Sequence, residues 1–423
     1  MSRRIHLQNA RPFDSLRGTL GPPSTLVVEG GRIVEVTPEP RAAGDALVID
    51  AGGRVATPGL IDCHVHVTAV THDFFRLAMQ PASYVTAQAK GVLAGMLQRG
   101  FTTVRDAAGA DFGLQRAVAE GHFEGPQLFI AGQPISQTGG HADSRPPGVQ
   151  EMPCACGALG LTGAIADGDA QVRRAVREQV RNGANQIKVM AGGGISSPTD
   201  PLEGTQYSLP ELQAICQEAS AADLYVLAHA YSSRAIRRAV EAGVRSIEHG
   251  NLLDDEAARA MAQAGAYLVP TLVTYAALAD EGAKLGWSEA MLAKLERVRA
   301  HGVQSLQIAA AHGIPIAFGT DLLGHMHARQ NEEFAIRASV QSPAAVVQSA
   351  TSVAAKLLRQ EGSLGVLAAG ARADVLLVEG DPTQSVAMWM RPESGIRLLM
   401  QGGELRWNHL PADSTARQTR VLQ

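Results

Sequence analysis

The sequence predicts an α/β fold, a TIM-like (β/α)8 barrel with a small β domain assembled from both chain termini. Three observations predict it. Between residues 87 and 321, short apolar strands alternate with helix-forming stretches, the texture of parallel strands joined by crossovers. The two ends are strand-rich and cut by glycine turns. Polar residues recur where the central strands end, which is the face on which such barrels carry their chemistry. A chain of 423 residues has room for one large barrel and a smaller domain. A doubly wound sheet is the competing architecture, but it does not bring those strand ends onto one ring.

Taken in order, Ser24-Thr-Leu-Val-Val28 and Arg32-Ile-Val-Glu-Val36 flank Glu29-Gly-Gly31, a hairpin signature. Ala46-Leu-Val-Ile-Asp50 is a further strand. Pro58-Gly59 then turns the chain into Leu60-Ile-Asp-Cys-His-Val-His66, where a side-chain period of two puts His64 and His66 on one face. Helices are expected over 87–99, 170–181, 210–222, 232–242, 256–264 and 291–312, and strands over 101–105, 186–190, 225–229, 246–249, 267–271 and 315–321. The C-terminal stretch returns to strands, Ala373-Asp-Val-Leu-Leu-Val378 and Ile396-Arg-Leu-Leu-Met400, the latter turning at Gly402-Gly403.

Composition narrows the function. A net charge of −4 argues against a nucleic-acid partner, since phosphate binding needs clustered positive charge. The Met-Ser-Arg-Arg start lacks an apolar run and no long apolar segment follows, so neither a secretory signal nor a membrane span is expected and the location points to the cytoplasm. Cysteines stand at Cys63, Cys154, Cys156 and Cys216, too few for a disulfide framework. Cys154-Ala-Cys156 reads as a loop with two free thiols rather than a metal pair.

His64, His66, Lys188, His229, His249 and Asp321 all fall at predicted strand ends. Each has an ordinary alternative: a snorkelling lysine, hydrogen-bonded core histidines, an aspartate capping a helix. Six in succession, offering nitrogen and oxygen donors, are not independent accidents. Two imidazoles on one strand face form half of a divalent-metal site.

The chain resembles the amidohydrolase superfamily of metal-dependent hydrolases. The resemblance rests on Pro58-Gly-Leu-Ile-Asp-Cys-His-Val-His66, Ile187-Lys-Val-Met190, Ala228-His-Ala-Tyr231, Ile247-Glu-His-Gly250, Gly319-Thr-Asp321 and Gly365-Val-Leu-Ala-Ala-Gly-Ala-Arg-Ala-Asp374. Ser136-Gln-Thr-Gly-Gly-His-Ala-Asp143 and the segment from Lys188 to Pro201 resemble the branch holding Xaa-Pro dipeptidases, other small carboxypeptidases and ochratoxin-hydrolysing amidases. The resemblance implies a β-sandwich domain from residues 1–57 and 365–423 and a hydrolase barrel over 58–364. It implies two divalent ions, expected to be zinc: His64, His66 and Asp321 on the more buried one, His229 and His249 on the other. Lys188 would bridge both as a carbamate formed from carbon dioxide, because an ammonium beside two dications is strongly disfavoured. A homo-oligomer, with an octamer as one form, is expected on the same ground.

The chemistry expected is attack by a metal-activated hydroxide on an amide or peptide C–N bond adjacent to a free carboxylate, in Xaa-Pro-type dipeptides or N-acyl amino acids such as ochratoxin A. Asp321 is the expected proton shuttle. His141, after Gly139-Gly140, and Tyr231 are candidates for contact with the substrate or its oxyanion. His325 and His327 are candidates for the pocket rim, and Arg145 and Arg329 for pairing with a carboxylate. The stretch Gly192-Gly-Gly-Ile-Ser-Ser-Pro-Thr-Asp-Pro201 is no phosphate cradle, lacking Gly-Lys-Ser/Thr and a following helix, and reads as a mobile lid. A cyclic-amide or imidazolone hydrolase is the alternative. A deaminase is disfavoured by the full two-metal ligand set, and a non-catalytic binding protein by the absence of any replaced ligand.

Overall fold

A computed structural model describes residues 4–42, 44–145, 148, 161–197, 200–282, 284, 286–411 and 414–416; Cys154 and Cys156 lie outside them. The chain divides into two compact units, one of Met1–Ile61, Gln98–Thr102 and Arg337–Gln423, the other of Asp62–Leu97 and Thr103–Ile336.

The first unit is organised by a ten-stranded sheet among the described residues. Its hairpin joins Ser24–Glu29 to Arg32–Thr37, with Glu29 opposite Arg32. Gly30 and Gly31 between them have φ of 60° and 78°, the left-handed pair that a tight hairpin turn requires and that side chains resist. Strand Ile5–Asp14 pairs antiparallel with Ser24–Glu29 and parallel with Leu47–Asp50 and Val55–Pro58. Val55–Pro58 pairs antiparallel with Val375–Val378, which pairs with Ile396–Gln401, so both chain ends enter one sheet. Leu7, Leu26, Ile33, Ile49, Val375, Leu398 and Met400 form its apolar core, each side chain contributing roughly 1.5–3 kcal/mol of burial.

In the second unit, parallel strands alternate with helices. One sheet runs Ala164–Ile165, Ile135–Ser136, Ile187–Met190, Val226–Ser232, Ser246–Leu252, Tyr267–Val269; another runs Leu60–Val65, Phe101–Asp106, Gln127–Ile130, of which the residues from Asp62 and from Thr103 onward belong to this unit. Backbone bonds continue past both sheets: Asn185 N to Ile130 O at 2.7 Å, Ala317 N to Leu268 O at 2.9 Å, Cys63 N to Phe318 O at 2.7 Å. Ile187–Met190 and Val226–Ser232 are buried along their whole length, as parallel strands covered on both faces are. A polar side chain there must therefore find a partner.

Stretch 315–321 departs from the strand expected. It makes a single parallel bridge, Ile316 to Leu268. Pro315 has no N–H to give a ladder, and the chain turns at Asp321, whose φ is 54°. The helices between strands stop where their caps dictate: Asp254 accepts from Ala257 N at the start of Asp255–Ala264, and Gly265 closes it at φ 65°. Among the described residues, no helix is long and apolar enough to cross a membrane.

Candidate metal and catalytic site

His64, His66, His141, Lys188, His229, Tyr231, His249 and Asp321 line one cavity in the second unit. Its remaining walls are largely apolar, with Phe74, Leu161, Met190, Ile195, Leu278, Trp287 and Leu323. The sequence scatters these polar residues from 64 to 321, and the parallel strands together with the turns and loops that follow them bring them to one cavity.

Hydrogen bonds settle where the imidazole lone pairs point. His64 donates from Nδ1 to Glu248 Oε2 at 2.6 Å, and His66 donates from Nδ1 to the Ala108 carbonyl at 2.8 Å. Both Nε2 atoms then face Asp321: its Oδ1 lies 3.6 Å from His64 Nε2 and 3.1 Å from His66 Nε2. His64 Nε2 is buried with no hydrogen-bond partner. In that buried space the His64 lone pair, His66 Nε2 and the Asp321 carboxylate are held together by a proton on His66 Nε2 or by a cation among them. These ligand atoms lie within 4.8 Å of one another, so the donor set fits a divalent metal.

His229 donates from Nε2 to the Gly193 carbonyl at 3.1 Å, leaving Nδ1 as its lone pair. Its ring stands 4.7 Å from that of His249. His249 Nδ1 lies 2.8 Å from Thr271 Oγ1 and 3.9 Å from Asp321 Oδ2. Burial drives the pKa values of His64, His229 and His249 well below the ordinary histidine value, which keeps them neutral and able to act as ligands. At His66 burial acts the same way, but the bond to Asp321 prevails and the pKa rises. Lys188 is buried, and burial pushes its pKa down to about 8. His249 and Asp321 both take left-handed backbone, φ 74° and 54°, a strain that side chains bear where a site over-determines them.

Tyr231 stacks on His249 at 5.1 Å and accepts a hydrogen bond from Tyr275 at 3.1 Å. Burial raises its pKa, so its own proton stays available for donation. His141 stacks on His229 with centroids 4.3 Å apart and donates from Nδ1 to Asp200 at 3.1 Å.

Four weaker candidates lie elsewhere. Arg145 pairs with Asp143, Arg329 with Glu332 and Asp280, and none of His325, His327, Arg145 and Arg329 lines the cavity. His325 is exposed near Glu281, and His327 is buried against the Ala69 carbonyl.

Sequence reasoning missed the support beneath the ligands. Glu248 accepts two bonds from the fully buried Arg105, at 2.8 and 2.9 Å, and another from Ser246. Arg105 also donates to the Cys63 carbonyl. Strand alternation turns Glu248 away from the side that His249 takes; the left-handed backbone at His249 breaks that alternation and puts both at the site. The signal available was an acid followed directly by a histidine inside an apolar strand.

A family model described as "Amidohydrolase family" matches residues 55–405. Ochratoxinase of Aspergillus niger is 33% identical over 369 residues, covering 83% of this chain and 75% of that protein. Among solved structures, a prolidase complexed with N-methylphosphonate-L-proline has a TM-score of 0.92 and 46% identity, covering 96% of this chain and all of the other, 100%. A Xaa-Pro dipeptidase with bound methionine in its active site has a TM-score of 0.85 and 26% identity, with 95% and 99% covered.

Proposed function

The chain belongs to the amidohydrolase family and is a hydrolase acting on C–N bonds on a TIM-barrel-type fold, and from that premise we propose that it cleaves an amide or peptide bond adjacent to a free carboxylate. Xaa-Pro dipeptides and N-acyl amino acids, ochratoxin A among them, are the substrates we propose. The relatives named ochratoxinase, prolidase and Xaa-Pro dipeptidase support that substrate class. So do the apolar walls, which suit a proline ring or an aromatic side chain. The observation that carries the reading is the convergence of His64, His66 and Asp321 with their lone pairs on one buried point, beside His229, His249 and Lys188.

His64, His66 and Asp321 would hold one divalent ion and His229 and His249 a second, with zinc the fitting metal for nitrogen and carboxylate donors. Lys188 would bridge them as a carbamate; its burial and lowered pKa favour the neutral amine that reacts with carbon dioxide. Such ions supply a water of lowered pKa and polarise the scissile carbonyl. The protein's own groups do the rest. Asp321 accepts the proton of the attacking water and returns it to the leaving nitrogen. Tyr231 donates its hydroxyl to the carbonyl oxygen, and His141, as an imidazolium held at Nδ1 by Asp200, presents its Nε2–H to charge developing there. A closed eight-stranded barrel, a β-sandwich of the chain ends and a cytoplasmic homo-oligomer belong to the same proposal. The backbone bonds running past both sheets support the first of these.

Incubating zinc-loaded protein with Xaa-Pro dipeptides and N-acyl amino acids, and following both fragments, tests the reading. Two products, one carrying the original carboxylate, are expected; a single ring-opened product or released ammonia overturns it. Asp321→Asn should lower kcat by about 10²–10⁴-fold with KM little changed. Near-normal turnover in that variant would falsify the proton-shuttle role.

A further inference from the structure

The glycine loop after strand Ile187–Met190 touches two of the site histidines directly. Gly193 presents its carbonyl to His229 Nε2 at 3.1 Å. Gly194 passes so close to His141 that a Cβ there would stand 1.9 Å from the ring, which is why this position takes glycine. Asp200, at the far side of the loop, accepts from His141 Nδ1 at 3.1 Å and from Gly194 N at 2.9 Å. Gln206 reaches the same carboxylate oxygen at 3.3 Å and accepts from His141 N at 2.9 Å. The loop is therefore part of the support of the site as well as its cover.

What fixes the loop comes from another element. Lys294, in helix Glu289–Ala311, donates to the carbonyls of Gly194 at 3.2 Å, Ser197 at 2.9 Å and Asp200 at 2.6 Å. An ammonium has three N–H donors, and here each one meets a carbonyl of a single loop. Three carbonyl oxygens turned toward one point repel each other without a cation, so the lysine is what permits that backbone course. One turn further along the same helix, Arg297 holds the Glu203 side chain, and Arg234 donates to the Glu203 carbonyl at 3.0 Å.

We propose that Lys294 is a positioning residue for the hydrolysis: its ammonium replaces a cation inside the glycine loop, and through Asp200 it sets His141 against the reacting carbonyl. The inference rests on the reading of His141 under the proposed function, and its test separates the two.

In zinc-loaded full-length enzyme, Lys294→Ala should raise amide hydrogen exchange across residues 192–197 by about tenfold or more and lower kcat by about tenfold, with the global unfolding midpoint nearly unchanged. Propylammonium, which brings back three donors, should restore exchange protection and kcat together. Tetramethylammonium, equal in charge but without donors, should restore neither. Lys294→Arg should retain part of both. Unchanged exchange in Lys294→Ala overturns the clamp. Raised exchange with unchanged kcat overturns its link to His141, and rescue by tetramethylammonium overturns the donor role. Wild-type enzyme that cleaves no amide overturns the proposed function instead, while the exchange measurement still decides the clamp.

Discussion

A neutral imidazole has one lone pair to give, and its other nitrogen decides the direction. At His64 and His66 the Nδ1 protons are spoken for by Glu248 and the Ala108 carbonyl, and that alone aims Nε2 at Asp321. Residue types at strand ends made the ligand candidates legible, because only a few side chains bind metals and the strand period says which share a face. Partners such as Glu248, Asp200 and Thr271 were not legible, because their roles depend on distances across strands far apart in sequence. Two predictions belong at this scale. Tyr231→Phe removes a hydroxyl already oriented by Tyr275, so kcat should fall by about 10²–10³-fold if it serves the oxyanion, measured on whichever dipeptide the wild type prefers. The Cys216 thiol is pushed up to about 12 by burial. At pH 8 only about one molecule in ten thousand carries the thiolate that reacts, so iodoacetamide should leave Cys216 unlabelled in folded protein and label it in urea, as peptide mass mapping would read.

At the scale of elements, helix positions followed from apolar periodicity and caps: residues 291–312 were expected and Glu289–Ala311 is observed, with Ser288 capping its first turn. The stretch 315–321 was misread because an apolar run gives no sign of whether a neighbour will pair with it along its length. Strand Ser246–Leu252 is the element on which the site depends most, since it supplies His249 as a candidate ligand and Glu248 as the acceptor that orients His64. Glu248 and Arg105 are both fully buried. Burial works against the arginine's charge, yet Glu248 beside it holds the guanidinium pKa above its ordinary value. Glu248→Ala strands that charge, and the expected loss is about 3–5 kcal/mol of stability, seen as a lower denaturant midpoint. Adding Arg105→Met should recover a large part of the loss, because the unpaired charge and not the missing bond is the main cost. Recovery of stability without recovery of metal affinity is the expected pattern, as His64 would still lack the acceptor that sets its tautomer.

For the whole molecule, all six ligand candidates come from one compact unit, Asp62–Leu97 with Thr103–Ile336, and none from the terminal sheet. A metal that binds the folded site and not the unfolded chain stabilises by about 4 kcal/mol at a thousandfold excess over its Kd. Chelation should therefore lower hydrogen-exchange protection in that unit and spare strands such as Ile396–Gln401. The metal-free protein should also respond to acid in a direction that can be worked out. His64, His229 and His249 have folded pKa values below 6.5. As pH falls through 6.5 the unfolded chain takes up protons that the folded chain refuses, so stability falls. His66, with its pKa raised by Asp321, works in the opposite sense only above 6.5 and is charged in both states below it. Asp62 and Asp106, pushed up to about 6 by burial, take up protons in the folded chain over the same interval and oppose the imidazoles, so three against two leaves a net of about one group, or ~1.4 kcal/mol per pH unit. The unfolding midpoint of chelated protein should thus fall modestly between pH 7 and pH 5 when followed by circular dichroism. A midpoint that climbs toward pH 5 would mean the three imidazoles take up protons as readily in the folded chain as in the unfolded one, and with that the buried convergence on Asp321 would go.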